Sequence, residues 1–347
     1  MRLLYLYPSS AKAELERVLS GESPSDRLYG LVELRQRSHI VDIADNRFDG
    51  RFGQLVKRLR RYSFNICDKE TLGRLGHYDA VVVKDDFSPL ISLACRRVGT
   101  KLVYLDSIFR LPTDRARQNL LRWNILHADA VVGYSRSQIE EWTDRLRVPP
   151  GRMTPLPYTI DLAFYQPYVR LSHPSNSYVL SVGRDPGRDF GTLLDAMDGL
   201  NIQLKLVTRP YLLSNVQAGR TWIQVLDHLS YPELFELYAG ASVVVVPLKA
   251  GTTYASGIRA TLEALALARP VIATNSPVLQ EYCAEGRGVS YVPPQDCMAL
   301  RHRILDFFQY PDLRRDVASA GHALVNEAYG MNRFTTKFEA LLEDVLR

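Results

Sequence analysis

Three groups of residues have types and spacings that could do chemistry. The first is Gly251-Thr252-Thr253-Tyr254-Ala255-Ser256-Gly257-Ile258, small and hydroxylated residues that let a backbone come close to a ligand. Apolar residues follow at Ile258, Leu262, Leu265 and Ala266, one face of a helix. Ser256 is a candidate N-cap. A helix opening out of such a loop offers N–H groups and partial positive charge to a phosphate. Glu263 lies about 9 Å along the axis from that end, roughly the span from a diphosphate to a ribose. The competing reading of Glu263 is an exposed i,i+4 pair with Arg259.

The second group is Gly183-Arg184-Asp185-Pro186-Gly187-Arg188, after the apolar run Tyr178–Val182. Two guanidiniums from one Gly-rich turn, Arg184 and Arg188, can grip a diphosphate through planar, bidentate donors. Solvated arginines in a polar turn are the alternative. The third group is Asp85, Asp86 and Asp106, each delivered by the end of an apolar run (80–84 and 101–105). Ligands of open α/β sheets sit beyond the carboxyl ends of strands, so these are cleft candidates. Asp85 and Asp86 could equally cap the helix that follows.

The elements that must position these residues alternate along the chain. Short apolar runs at 3–7, 39–43, 79–84, 101–105 and 128–133 are separated by helical stretches, the pattern of a parallel sheet. The alternation restarts at 178–182 and continues through 203–207, 222–226, 241–246, 271–273 and 288–292. Arg269-Pro270 ends the helix that carries Glu263, and two helical stretches close the chain, the last over 332–346. The length of 347 residues allows two domains, each with its own core.

The second half resembles the GT-B glycosyltransferases, and glycosyltransferase family 4 in particular. Ser256-Gly-Ile-Arg-Ala-Thr-Leu-Glu263-Ala-Leu-Ala-Leu-Ala-Arg-Pro-Val-Ile-Ala-Thr274 is similar to the family's Glu-x7-Glu signature segment. The second glutamate matches Glu263, which the resemblance makes the ribose ligand. The first, which in the family faces the donor sugar, falls on Ala255, a departure from the signature. Gly183-Arg184, with Arg188 at the family's lysine, and Leu156-Pro157-Tyr158-Thr159-Ile160-Asp161 also look like family segments. In the first half the resemblance is diffuse.

The implied architecture is α/β and GT-B: two Rossmann-like domains facing across a cleft, with a C-terminal helix crossing back to the N-domain. The expected domains are residues 1–167 with 332–347, taking the acceptor, and 168–331, taking the nucleotide sugar. The resemblance implies transfer from a nucleotide diphosphate sugar, UDP-sugar favoured, to a hydroxyl of a glycan, lipid-linked or small-molecule acceptor, with retention. Gly183, Arg184, Arg188, Thr252, Thr253, Tyr254, Ser256, Gly257, Ile258 and Glu263 are the expected donor site. An inverting enzyme would need a base, for which Asp106 is the first candidate and Asp85 or Asp86 the next. Two rivals stand beside it. Nucleotide-sugar 2-epimerisation would need acid/base groups that the 251–256 loop does not supply, and Ala255 leaves room for a catalytically inactive sugar-nucleotide-binding subunit.

Composition bounds the rest. Hydrophobic residues make up 46% and charged residues 23%, which argues against disorder. No apolar run approaches the roughly 20 residues of a membrane span. Cys67, Cys95, Cys283 and Cys297 lack CxxC spacing, and the seven histidines lack ligand spacing. Reduced thiols, a cytoplasmic location, and neither metal nor cofactor are therefore expected. Nucleic acid is not an expected partner. Residues 1–165 carry 26 Lys and Arg against 20 Asp and Glu, so the net charge of +5 resides in the first half. It concentrates in Arg47, Arg51, Lys57, Arg58, Arg60 and Arg61. With Leu55, Val56 and Leu59 among them, this segment is compatible with peripheral contact at the inner membrane face, or with a solvated helix packed on the sheet.

Overall fold

The computed structural model describes residues 1–8, 10–45, 65, 67–105, 111–170, 178–213 and 220–347. Two compact units emerge, Met1–Pro157 with Met331–Arg347, and Tyr158–Gly330. The division falls ahead of the expected 167/168 boundary, because the connector packs into the second unit. The Tyr158 N–H donates to Tyr282 Oη, the Ile160 N–H to the Tyr329 carbonyl, and Tyr165 Oη to Glu263.

The first unit is built on strands β1 (Arg2–Tyr7), β2 (Ile40–Asp45), β3 (Ala80–Lys84), β4 (Lys101–Leu105), β5 (Ala130–Gly133) and β6 (Thr154–Pro155). They form one parallel sheet in the order β2-β1-β3-β4-β5-β6. β1, β3 and β4 are almost wholly buried. Continuous apolar runs do this because a parallel sheet is covered by helices on both faces. The order reverses between β1 and β3, so the exit of β3, where Asp85 and Asp86 lie, is the switch point of this sheet.

The terminal helix Met331–Leu346 belongs to this unit, as the C-terminal return expected from sequence requires. Gly30, at φ +82°, leaves room for Phe334 against its backbone. Arg37 pairs with Glu339 at 2.6 Å, and the ring of His39 reaches the same carboxylate.

The second unit repeats the plan with β7 (Tyr178–Val182), β8 (Leu204–Val207), β9 (Ile223–Leu226), β10 (Ala241–Val246), β11 (Val271–Thr274) and β12 (Val289–Val292). All are parallel, ordered β12-β11-β10-β7-β8-β9. The chain builds outward from β7 to β9, then restarts at β10 on the other side of β7. The switch point therefore lies between the exits of β7 and β10, which carry the Gly183–Arg188 turn and the Gly251–Gly257 loop. Three helices follow β12 rather than two, Cys297–Gln309, Pro311–Ala328 and Met331–Leu346. Pro311 lies at the start of the second, where its missing N–H costs nothing, and so divides what reads as one stretch.

Candidate active site

The turn after β7 and the loop after β10 are joined side by side at the switch point. The Lys249 N–H donates to the Gly187 carbonyl at 2.8 Å, and the Asp189 N–H to the Pro247 carbonyl at 3.1 Å. Asp189 then caps the helix Phe190–Met197 by accepting from the Thr192 N–H. The turn is thus fixed at its far end by a helix and along its flank by the next strand's exit.

Asp185 makes the remaining connections. Its Oδ1 accepts from the Gly187 N–H at 3.0 Å, from Tyr254 Oη at 3.2 Å and from Ser256 Oγ at 2.8 Å. Its Oδ2 accepts from Arg188 Nε at 3.2 Å. Sequence reasoning missed this residue: an aspartate in an Asp-Pro-Gly turn reads as turn chemistry, and its partner Ser256 is 71 residues away.

Ser256 is not the N-cap expected of it. Its hydroxyl donates to Asp185, and Gly257, at φ +83°, occupies the cap position with no side chain capping the helix. Gly257 is required there twice over, by that φ and because a Cβ would press on Val246. The signature helix Ile258–Ala266 therefore begins with no side-chain acceptor for its first N–H groups. Thr252 folds back on its own turn, donating to the Lys249 carbonyl. Thr253 and Tyr254 are half-buried in the same loop, and Ile258 is buried at the helix start.

The two arginines do not converge. Arg188 is 6% exposed and lies against the backbone of Gly183, where any Cβ would overlap its guanidinium. Its Nη1 is buried and has no hydrogen-bond partner among the described residues. Arg184 turns the other way, across β8, and pairs with Asp227 beyond β9 at 2.8 Å, with its side chain 42% exposed. Asp227 is shared with the ring of His228. Arg188 is thus committed to the switch point, whereas Arg184 is held at the sheet's outer strand.

Glu263 forms the i,i+4 pair with Arg259 of the competing reading, at 2.8 Å, but it is buried rather than exposed. Tyr165 Oη and Tyr238 Oη also donate to it, each at 3.1 Å. Burial and the adjacent Glu263 carboxylate raise the Tyr238 hydroxyl well above its ordinary range, so it stays a donor. One acceptor position on Oε2 is left over from these partners.

In the first unit Asp85 and Asp86 are buried, and neither caps the next helix. Ser88 takes that role for Pro89–Val98 by accepting from the Leu90 N–H. Asp85 is held at φ +67°, a left-handed conformation that costs a non-glycine residue energy and concentrates at functional sites. Burial raises its carboxyl, against the pull of Lys84 and Arg117. Burial likewise pushes Asp86 up to about 6, with Arg117 opposing through an ion pair at 3.4 Å. Asp106 and the basic segment Arg47–Arg61 lie outside the described residues. Among the described residues, no three His, Cys, Asp or Glu side chains gather to hold a metal ion, and no helix is long and apolar enough to cross a membrane.

The family model for glycosyl transferases group 1 matches residues 177–309, which contain the whole switch-point arrangement. The chain is a glycosyltransferase of the GT-B fold. A glycosyltransferase from Rickettsia africae superposes with a TM-score of 0.74 at 16% identity, over 100% of this chain and 98% of the other. Sucrose-phosphate synthase from Thermosynechococcus elongatus gives 0.68 at 17% identity, covering 99% of each chain. HepE of Anabaena, in complex with UDP and glucose, gives 0.67 at 15% identity over 99% of this chain and 100% of that one. No curated protein matches the sequence. This glycosyltransferase thus shares its fold with proteins to which it is 15–17% identical.

Proposed function

We propose that this glycosyltransferase moves a sugar from a nucleotide diphosphate sugar, a UDP-sugar in the first instance, to an acceptor hydroxyl, with the second unit binding the donor. The observation that carries the reading is the buried Nη1 of Arg188, without a partner among the described residues, joined through Asp185 and Ser256 to the uncapped start of the signature helix. A buried guanidinium donor without an acceptor is costly, and an anion satisfies both features at once. The solved complexes of HepE with UDP and with UDP-glucose support a uridine diphosphate donor.

Transfer at an anomeric carbon passes through an oxocarbenium-like state while charge collects on the departing diphosphate. Arg188 and the N–H groups at Gly257–Ile258 stabilise that charge from fixed positions, and no metal is called upon. Arg184 joins them when it leaves Asp227. Glu263 offers its remaining acceptor position to a ribose hydroxyl, and Thr252, Thr253 and Tyr254 line the phosphate or sugar. The family 4 resemblance assigns retention, with the leaving phosphate taking the acceptor proton. The acceptor, a glycan, a lipid-linked or a small molecule, falls to the first unit, and four unpaired cysteines fit a cytoplasmic location.

Inversion is the second reading, with Asp106 or Asp85 as base. The strained, desolvated Asp85 at the switch point of the first sheet favours it. A thermal-shift panel of UDP-, GDP-, ADP- and dTDP-sugars tests the donor, since a bound ligand raises apparent stability. No shift with any of them rejects the proposal. The anomeric configuration of the product by NMR decides between retention and inversion. Binding without turnover across many acceptors would mark an inactive binding subunit instead. Sedimentation with anionic and neutral liposomes tests membrane contact by the Arg47–Arg61 segment, and equal sedimentation rejects it.

A further inference from the structure

We propose that Asp185 is a positioning residue that aims Arg188 at the donor's diphosphate; this rests on the nucleotide-sugar reading above. Its carboxylate is shared unequally. Oδ1 holds the framework, taking the Gly187 N–H, Tyr254 Oη and Ser256 Oγ, and so binds the turn after β7 to the loop after β10. Among the described residues Oδ2 takes Arg188 Nε alone. A hydrogen bond at Nε fixes the plane of the guanidinium about Cδ–Nε, and the backbone of Gly183 closes one side of it. Of the two amino nitrogens this grip leaves over, Nη1 is buried and has no partner among the described residues. The same carboxylate fixes Ser256, the residue before the helix cap, so guanidinium and helix start are referenced to one atom group.

A carboxylate beside an anion site is otherwise hard to account for. Coulomb repulsion alone makes it unfavourable to the ligand. Orientation and repulsion therefore predict opposite signs for its removal. Asp185→Asn separates them, because the amide oxygen can keep the three Oδ1 donors while its NH2 faces Arg188 Nε, donor against donor. Repulsion predicts tighter nucleotide binding by this variant, orientation weaker binding.

The experiment is calorimetric titration of the full chain with UDP, for the wild type, Asp185→Asn, Arg188→Ala and the double variant. Weakening by Asp185→Asn of at least about tenfold, a loss of one charge-assisted hydrogen bond, is expected, with no further weakening in the Arg188→Ala background. Binding by Asp185→Asn as tight as wild type or tighter overturns the inference, as does an equal factor in both backgrounds. Should Asp185→Asn not fold, the Tyr254→Phe, Ser256→Ala pair removes two Oδ1 donors, and the same cycle against Arg188→Ala decides by the same two outcomes. If the wild type binds neither UDP nor GDP, ADP or dTDP, the donor reading falls and takes this inference with it. If it binds and the cycle shows no coupling, only the inference falls.

Discussion

Arg184 and Asp227 meet at 2.8 Å across the width of β8, joining the exits of β7 and β9. The pair is half-exposed, and such pairs contribute about 0–1 kcal/mol. A diphosphate offers Arg184 a stronger partner through bidentate hydrogen bonds. Asp227→Asn should therefore release Arg184 and tighten UDP binding by about threefold, with little change in melting temperature. Weaker binding in this variant would show that Arg184 serves the sheet edge and not the ligand.

Arg188 should show the opposite balance of stability and binding. Its buried Nη1 has no acceptor, and leaving such a donor unmade costs about 1–3 kcal/mol. Arg188→Met keeps much of the volume and removes that cost, although it also frees Asp185 Oδ2. The expected result is a chain no less stable than wild type by denaturant titration, with UDP affinity down by about ten- to a hundredfold. A large loss of stability with unchanged affinity would make Arg188 a scaffold residue.

These two arginines mark what the sequence could and could not tell. Their position after β7 was legible, because an apolar run, a Gly-rich turn and a helix follow one another within a few residues. Their divergence was not, since it depends on Asp185 and Asp227 as acceptors. Glu263 repeats the lesson. Its spacing from Arg259 reads the same whether the pair is exposed or buried. Burial is imposed by Tyr165, 98 residues away, and Tyr238, 25 residues away. Ser256 satisfied every local criterion of an N-cap and was drawn off by a carboxylate from another loop. The buried strands were legible because a parallel sheet covered on both faces writes itself as continuous Val, Ile and Leu, whereas β6, two exposed residues at Thr154–Pro155, carries no such run and was not legible.

Glu263 should be expensive to lose. Removing the carboxylate takes one acceptor from the Arg259 guanidinium and from two tyrosine hydroxyls, one of them on the fully buried Tyr238. Breaking a buried ion pair from one side costs about 3–5 kcal/mol. Glu263→Ala is expected to lower unfolding free energy by that order, whereas Tyr238→Phe, which gives up one hydrogen bond, should cost about 1 kcal/mol. Chemical denaturation of both variants checks the ranking, and a Glu263→Ala chain as stable as Tyr238→Phe would contradict it.

Asp86 makes stability depend on pH. Burial raises its carboxyl to about 6 in the folded protein, against an ordinary aspartate near 3.8. The folded state therefore binds the proton more tightly than the unfolded one. Stability from this group is fully present below the unfolded value and is lost as pH rises through the folded value. Asp86→Asn cannot ionise, so its melting temperature relative to wild type should climb between about pH 4 and pH 7 and level off above that. A flat difference across that range would mean that the Arg117 pair holds Asp86 ionised throughout.

Two glycines of the turn test the site with the least disturbance of the fold. Gly183 and Gly187 do not adopt positive φ, so alanine is not barred by backbone strain. What bars it is space: a Cβ at Gly183 would overlap the Arg188 guanidinium, and one at Gly187 would overlap the Tyr254 hydroxyl. Both obstacles are ends of side chains that can swing aside. Gly183→Ala should therefore fold, displace Arg188 and abolish measurable UDP binding. Gly187→Ala should displace Tyr254 from Asp185 and weaken binding less, by about three- to tenfold. Gly99, at φ +77° with open space around it, is the contrasting position: alanine there should cost about 1 kcal/mol of stability and leave UDP affinity untouched. Equal affinities across the three variants would sever the link between this turn and the donor.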